Sequence, residues 1–145
     1  MYSCAFFGHR EYPYTQSIEE IERGIVMLIT EYEVTEFYVG LRGAFDRVCM
    51  TIMRRLKQRY PFIRCIRVWS YRPRGDEDVV EGIDETVYLL ERFVPPTYAI
   101  AETNKILVQK VDYILSGILH RWGGAWMAVE YAKKKGKKVI EVFGD

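Results

Sequence analysis

Short apolar runs that end in glycine alternate along this chain with segments of helical periodicity, and that alternation limits the fold more than any other feature. Residues 2–7 are apolar and aromatic and stop at Gly8, as a buried strand bounded by a turn does. Ser17-Ile18-Glu19-Glu20 carries a capping-box signature, after which Ile18, Ile21, Ile25, Leu28, Ile29 and Tyr32 fall on one helical face. Residues 36–40 give a second strand. Phe45, Val48, Cys49, Ile52, Met53, Leu56 and Tyr60 then repeat at helical spacing until Pro61 stops them. Residues 63–71 supply a third strand and residues 112–118 a fourth, preceded by a helix that Thr97 caps and that runs through Ala101 to Lys110. The last helix runs from about Gly124 to Lys135, where lysines suit its negative end and Gly136 serves as its stop, and residues 139–143 form the closing strand.

Strands and helices of these lengths in this order imply right-handed crossovers and a parallel sheet covered on both faces. The expected fold is therefore α/β: a Rossmann-like three-layer α/β/α sandwich with a mostly parallel sheet of about five strands. Residues 72–96 break the pattern, being charged and closed by Pro95-Pro96 with only residues 86–90 strand-like, and they read as a long excursion placed to cover a site. A length of 145 residues with 49% hydrophobic content suits a single domain with one core. The formal net charge of +1 argues against nucleic acid as a partner and against an anionic membrane surface, so recognition by charge must be local. Cys4, Cys49 and Cys65 lie among apolar neighbours without metal-ligand or redox spacing and read as reduced core thiols. With no basic leader and no apolar segment of membrane-spanning length, the expectation is a soluble cytoplasmic protein.

Ligands of such sheets bind beyond the carboxyl ends of the strands, where three glycine-bearing junctions gather. At Gly8-His9-Arg10, backbone amides and a guanidinium suit a phosphate, and an ordinary tight turn with a solvated arginine explains the same residues. Gly40-Leu41-Arg42-Gly43-Ala44-Phe45-Asp46 offers similar chemistry, with Asp46 either facing the ligand or complementing the helix dipole. Trp122-Gly123-Gly124-Ala125-Trp126 opens the last helix, where unpaired amides point at an anion. Glu130, in the second turn, can reach back to a ribose hydroxyl or act as a general acid or base, or pair with Lys133 or Lys134 along the helix. Tyr71, Tyr98, Trp122 and Trp126 can stack on a base or fill a core. His9 and His120 have no partner at metal-ligand spacing, so no metal site is expected.

Phe6-Phe7-Gly8-His9-Arg10, Phe37-Tyr38-Val39-Gly40 with Gly43-Ala44-Phe45-Asp46, Glu91 and Val94-Pro95 before Tyr98-Ala99-Ile100, Thr103-Asn104-Lys105, and Gly123-Gly124-Ala125 before Glu130-Tyr131-Ala132 together resemble a small bacterial and phage branch of the SLOG superfamily. That superfamily groups Rossmann-like domains related to the DNA-uptake protein DprA and to the LOG phosphoribohydrolases. The resemblance implies a nucleotide-derived ligand at the strand ends, with Asn104 among its contacts, and a homo-oligomer, either a dimer or a larger assembly. Enzymatic members carry Pro-Gly-Gly-x-Gly-Thr-x-x-Glu. Here Trp122 stands at the proline and Trp126 close to the Gly-Thr step, so only the glycine pair and an acid such as Glu130 remain. The expectation is therefore non-catalytic binding, for sensing or sequestration, of a phosphorylated nucleotide or nucleotide-derived signal, with no cofactor required. The alternatives are a LOG-type nucleoside-monophosphate hydrolase using Glu130, and a DNA-associated module of the DprA kind.

Overall fold

The computed structural model describes residues 2–75 and 78–144, and all elements and contacts below are those of the described residues. Six strands, β1 (Tyr2–Gly8), β2 (Val34–Val39), β3 (Arg64–Trp69), β4 (Glu85–Tyr88), β5 (Tyr113–Gly117) and β6 (Lys138–Glu141), form one sheet in the order β4-β3-β2-β1-β5-β6. Every pairing is parallel. Four α-helices connect them: α1 (Ile18–Thr30), α2 (Ala44–Arg59), α3 (Pro96–Lys110) and α4 (Gly124–Lys134).

Alternation in β1 separates the two halves of the core. Cys4 and Phe6 face one side with Ile21, Ile25 and Leu28 of α1 and Cys49, Ile52 and Met53 of α2. Ala5 and Phe7 face the other with Leu107 and Val108 of α3 and Ala128, Val129 and Ala132 of α4. Each fully buried large apolar side chain contributes about 1.5–3 kcal/mol, so both layers are held on by their stripes and need little help from caps. The Rossmann-like α/β/α architecture read from the sequence is the one observed.

Three local readings change. The sheet gains a sixth strand, β4, inside the 72–96 excursion. It is short and half-buried at the edge, where a weak pattern is enough because only one side needs partners. Ser17 makes no side-chain cap, because a 3₁₀ turn (Tyr14–Ser17) leads directly into α1. Pro95, not Thr97, precedes α3, and Pro96 takes its first position, where no amide is missed. The stop at Gly136 has the expected form: at φ +74° it donates to Lys133 C=O while Lys137 N–H reaches Ala132 C=O, a Schellman closure.

Candidate nucleic-acid interface at the switch point

The winding reverses between β1 and β5, since β2, β3 and β4 lie to one side of β1 and β5 and β6 to the other. Such a reversal splays the following loops apart and leaves a crevice beyond the strand ends. Here the crevice is a cleft of about 460 Å³ lined by residues 6–11, by Gly40, Arg42, Gly43 and Asp46, by Ile100, Asn104 and Leu107 of α3, and by His120 and residues 122–125.

Two packing devices hold its floor. Gly8 and Gly117 are paired at the ends of β1 and β5. Beneath them lies the fully buried ring of Phe45; a Cβ on Gly8 would come within 2.2 Å of that ring and a Cβ on Gly117 within 2.3 Å. The buried Tyr14 hydroxyl then ties the two strand ends together, accepting from His9 N–H at 3.0 Å and donating to Gly117 C=O at 2.5 Å. Burial raises its pKa to about 12, so it remains a donor at any physiological pH.

The walls carry rings. His9 Nε2 accepts from the backbone N–H groups of Leu119 (2.9 Å) and His120 (3.3 Å), which fixes the imidazole as the neutral Nδ1–H form. Burial, followed by the neighbouring His120, lowers its pKa. The His9 ring stacks on His120 at 3.5 Å and His120 on Trp122 at 3.8 Å, with planes inclined by 17° and 20°. The stack runs from the sheet outward and ends on Trp122, which is 68% exposed and presents a free face. His120 Nδ1 is buried without a hydrogen-bond partner.

Charge is uneven around the cleft. Asp46 is half-buried at the cleft, and burial raises its pKa to about 6, offset in part by the N–H of Arg42 (3.2 Å) and the Arg42 charge. That contact organises a tight turn in which Leu41 takes φ +55°, and a Cβ on Gly40 would approach the carboxylate to 3.1 Å. The Arg42 guanidinium reaches Ser70 Oγ at 3.4 Å, and Ser70 bonds Thr103 Oγ1 at 2.7 Å, joining the ends of β2, β3 and α3. Arg10 is exposed, and its guanidinium makes no hydrogen bond or ion pair among the described residues.

The site residues expected from the sequence divide accordingly. Gly8, His9, Arg10, Gly40, Arg42, Gly43, Asp46, Asn104, Gly123, Gly124 and Ala125 converge on the cleft. Phe45 does not: it is core beneath the floor. The start of α2 is also not an open anion site, because Ala44 N–H is taken by Arg10 C=O at 2.8 Å and Phe45 N–H by His9 C=O at 3.4 Å. The start of α4 differs. Gly123 adopts φ +96°, only the Met127 amide is turned back onto Gly123 C=O, and a Cβ on Gly123 or Gly124 would meet nothing within 4 Å. Tyr71 spends its hydroxyl on the backbone of Arg92 and Val94, and Tyr98 projects from the first turn of α3 outside the cleft. Glu130 and Trp126 line a neighbouring groove instead, and Glu130 pairs with Lys133 at 3.5 Å. No described residue of 72–96 lines the cleft. Tyr14, Gly117, His120 and Trp122 complete the site. The signal for Gly117 was available, since it ends β5 as Gly8 ends β1.

No protein-family model matches the chain, and no curated protein matches it. Solved structures share its fold, among them two of DNA processing proteins. DNA processing protein A (DprA) from Streptococcus pneumoniae superposes with a TM-score of 0.70 at 18% identity, over 100% of this chain and 51% of that one. The Helicobacter pylori DprA structure, which concerns that protein's single-stranded DNA binding mode, gives 0.62 at 13% identity, over 97% of this chain and 64% of that one.

The fold is a DprA-like Rossmann domain.

This chain spans about half the length of the pneumococcal protein. The comparison corrects the expectation that nucleic acid is an unlikely partner. Net charge was the wrong measure, because the +1 total averages over both helical layers and does not describe the charge at any one edge. Among the described residues no helix is long and apolar enough to cross a membrane, and no cluster of three His, Cys, Asp or Glu side chains could hold a metal ion.

Proposed function

We propose that the cleft binds single-stranded nucleic acid, taking one nucleotide with its base on Trp122 and its phosphate at the start of α4. The observation that carries this is the His9–His120–Trp122 stack, whose exposed last ring stands beside the open amides of Gly124 and Ala125 and the unpaired Arg10. Single strands are held by this combination: a π-face tolerant of base identity, with cations and amide dipoles for the backbone. Paired bases offer no such face, so the reading includes preference for a single strand over a duplex.

Fluorescence anisotropy with labelled oligothymidylate tests it. Trp122→Ala should weaken binding by about 5- to 150-fold, the equivalent of ~1–3 kcal/mol for one stacked base. Gly124→Ala, whose Cβ meets no protein atom, should leave the melting temperature unchanged and weaken binding by obstructing the phosphate. Equal affinity of the Trp122→Ala variant and the parent protein would refute the reading. A second reading, non-catalytic binding of a nucleotide-derived small molecule, is favoured by the cleft's volume, which lies within the range of small-ligand pockets. Competition by mononucleotides as effective as the oligonucleotide itself would select it. Hydrolysis by Glu130 finds no support, because that carboxylate lies outside the cleft and against a lysine.

A further inference from the structure

A second groove of about 330 Å³ runs between α3 and α4 and adjoins the cleft, with Asn104 and Gly124 lining both. Trp126 and Tyr131 supply aromatic surface along it, and Lys105 and Lys134 line it from opposite helices. Lys105 Nζ stands 5.9 Å from the centre of the Tyr131 ring and Lys135 Nζ 5.5 Å. The groove's one carboxylate among the described residues, Glu130, lies 3.5 Å from Lys133, which also pairs with Glu141 at 3.1 Å, and the two lysines that line the groove, Lys105 and Lys134, outnumber it. Lys137, whose Nζ reaches Gln109 C=O at 3.3 Å, and Lys110 extend the same sign past the end of α4 and to the end of α3.

We infer that this α3–α4 groove is the path by which a single strand leaves the cleft, so that the ligand is an oligonucleotide and not one nucleotide. The inference rests on the single-strand reading of the cleft. An aromatic floor with cations along both rims suits successive nucleotides: bases lie against Trp126 and Tyr131, and phosphates face Lys105 and Lys134. The length also fits. From Gly124 to Lys134 the helix rises roughly 15 Å, room for about two to four further nucleotides at the spacing of a stacked strand.

A length series of oligothymidylates, from the mononucleotide to the hexanucleotide, tests this with each protein variant over a salt titration. In the parent protein affinity should climb beyond the dinucleotide and level off by about the pentanucleotide. The Lys105→Ala, Lys134→Ala double variant should bind the pentanucleotide about tenfold more weakly, yet the mononucleotide within about twofold, because the losses fall on phosphates outside the cleft. Its salt slope should also fall by about 1.4, two phosphate contacts on a single strand, a change that a merely structural role for the lysines does not produce. Arg59→Ala, at the end of α2 on the opposite face of the sheet, should change neither quantity. Trp122→Ala should weaken every length. An affinity flat beyond the dinucleotide, or a double variant indistinguishable from the parent, would overturn the groove while leaving the cleft reading intact. Absence of binding at every length would overturn both.

Discussion

Tyr14→Phe is the sharpest single perturbation of this architecture, because it removes one oxygen and nothing else. The ring should stay where it is, edge-on to Phe45 at 4.9 Å and stacked near Phe143 at 6.1 Å. What disappears is the partner of two backbone groups at the switch point, the His9 N–H and the Gly117 C=O. Both lie where water does not easily replace the hydroxyl, since Tyr14 and Gly117 are buried and His9 is only 6% exposed. Leaving a buried polar group unpaired costs about 1–3 kcal/mol, so two such groups set the expected loss at roughly 2–6 kcal/mol. In a domain of this size each kcal/mol moves the melting temperature by about 2–4 °C, so a fall of roughly 4–24 °C is expected.

Calorimetry and urea unfolding measure this directly. The m-value should be unchanged, because the same surface is exposed on unfolding. Tyr12→Phe, a neighbouring tyrosine with no hydroxyl contact, provides the control and should be neutral within about 0.5 kcal/mol. Oligonucleotide affinity should fall in Tyr14→Phe as well, since the β1 turn carrying Arg10 and the loop carrying Trp122 are then held across the crevice by the His9 contacts to Leu119 and His120 without the hydroxyl's tie. If Tyr14→Phe proves as stable as the parent, the hydroxyl is not the pin described above and its two partners have found water.

Two further perturbations probe the floor and the charge of the cleft. Gly117→Ala places a Cβ 2.3 Å from Phe45, so it should destabilise by about 1–3 kcal/mol, and adding Phe45→Leu should restore part of that loss; strictly additive effects would rule out the clash. Asp46 and His9 oppose each other in acid. The folded-state pKa of Asp46 is raised to about 6 from 3.8, so its buried charge weakens the fold above pH 6 and that penalty is relieved as pH falls. The folded-state pKa of His9 is lowered, so the unfolded chain takes the proton first and stability is lost as pH falls through 6.5. Asp46→Asn should therefore stabilise the protein at pH 8, by at most about 3 kcal/mol. It should also expose a loss of stability between pH 7 and pH 5 that the parent masks, and a flat urea-unfolding profile across that interval would contradict the assignment.

The sequence made the layers legible because they rest on local periodicity. Each strand's alternation and each helix's apolar stripe is written within a dozen residues, and β4 escaped as a distinct strand because a four-residue edge strand, exposed at Glu85 and half-buried after it, needs almost no pattern. The cleft was legible only in outline, because strand-then-glycine is one signature with two physical causes. At Gly8, Gly43 and Gly117 an added Cβ would come within 2.2–2.5 Å of Phe45 or of the Arg10 backbone, so these glycines exist for packing. At Gly123 and Gly124 it would meet nothing, so at these two the space lies toward the cleft. The same division separates the two helix starts. The first amides of α2 are consumed by the carbonyls of His9 and Arg10, more than thirty residues earlier in the chain, whereas those at the start of α4 are left open. His9 meets His120 and the Leu119 amide across more than a hundred residues, a pairing that no window of sequence contains. What distinguishes a glycine beside open space from one that admits a ring is therefore a tertiary fact, and of the two helix starts only that of α4 keeps its first amides open.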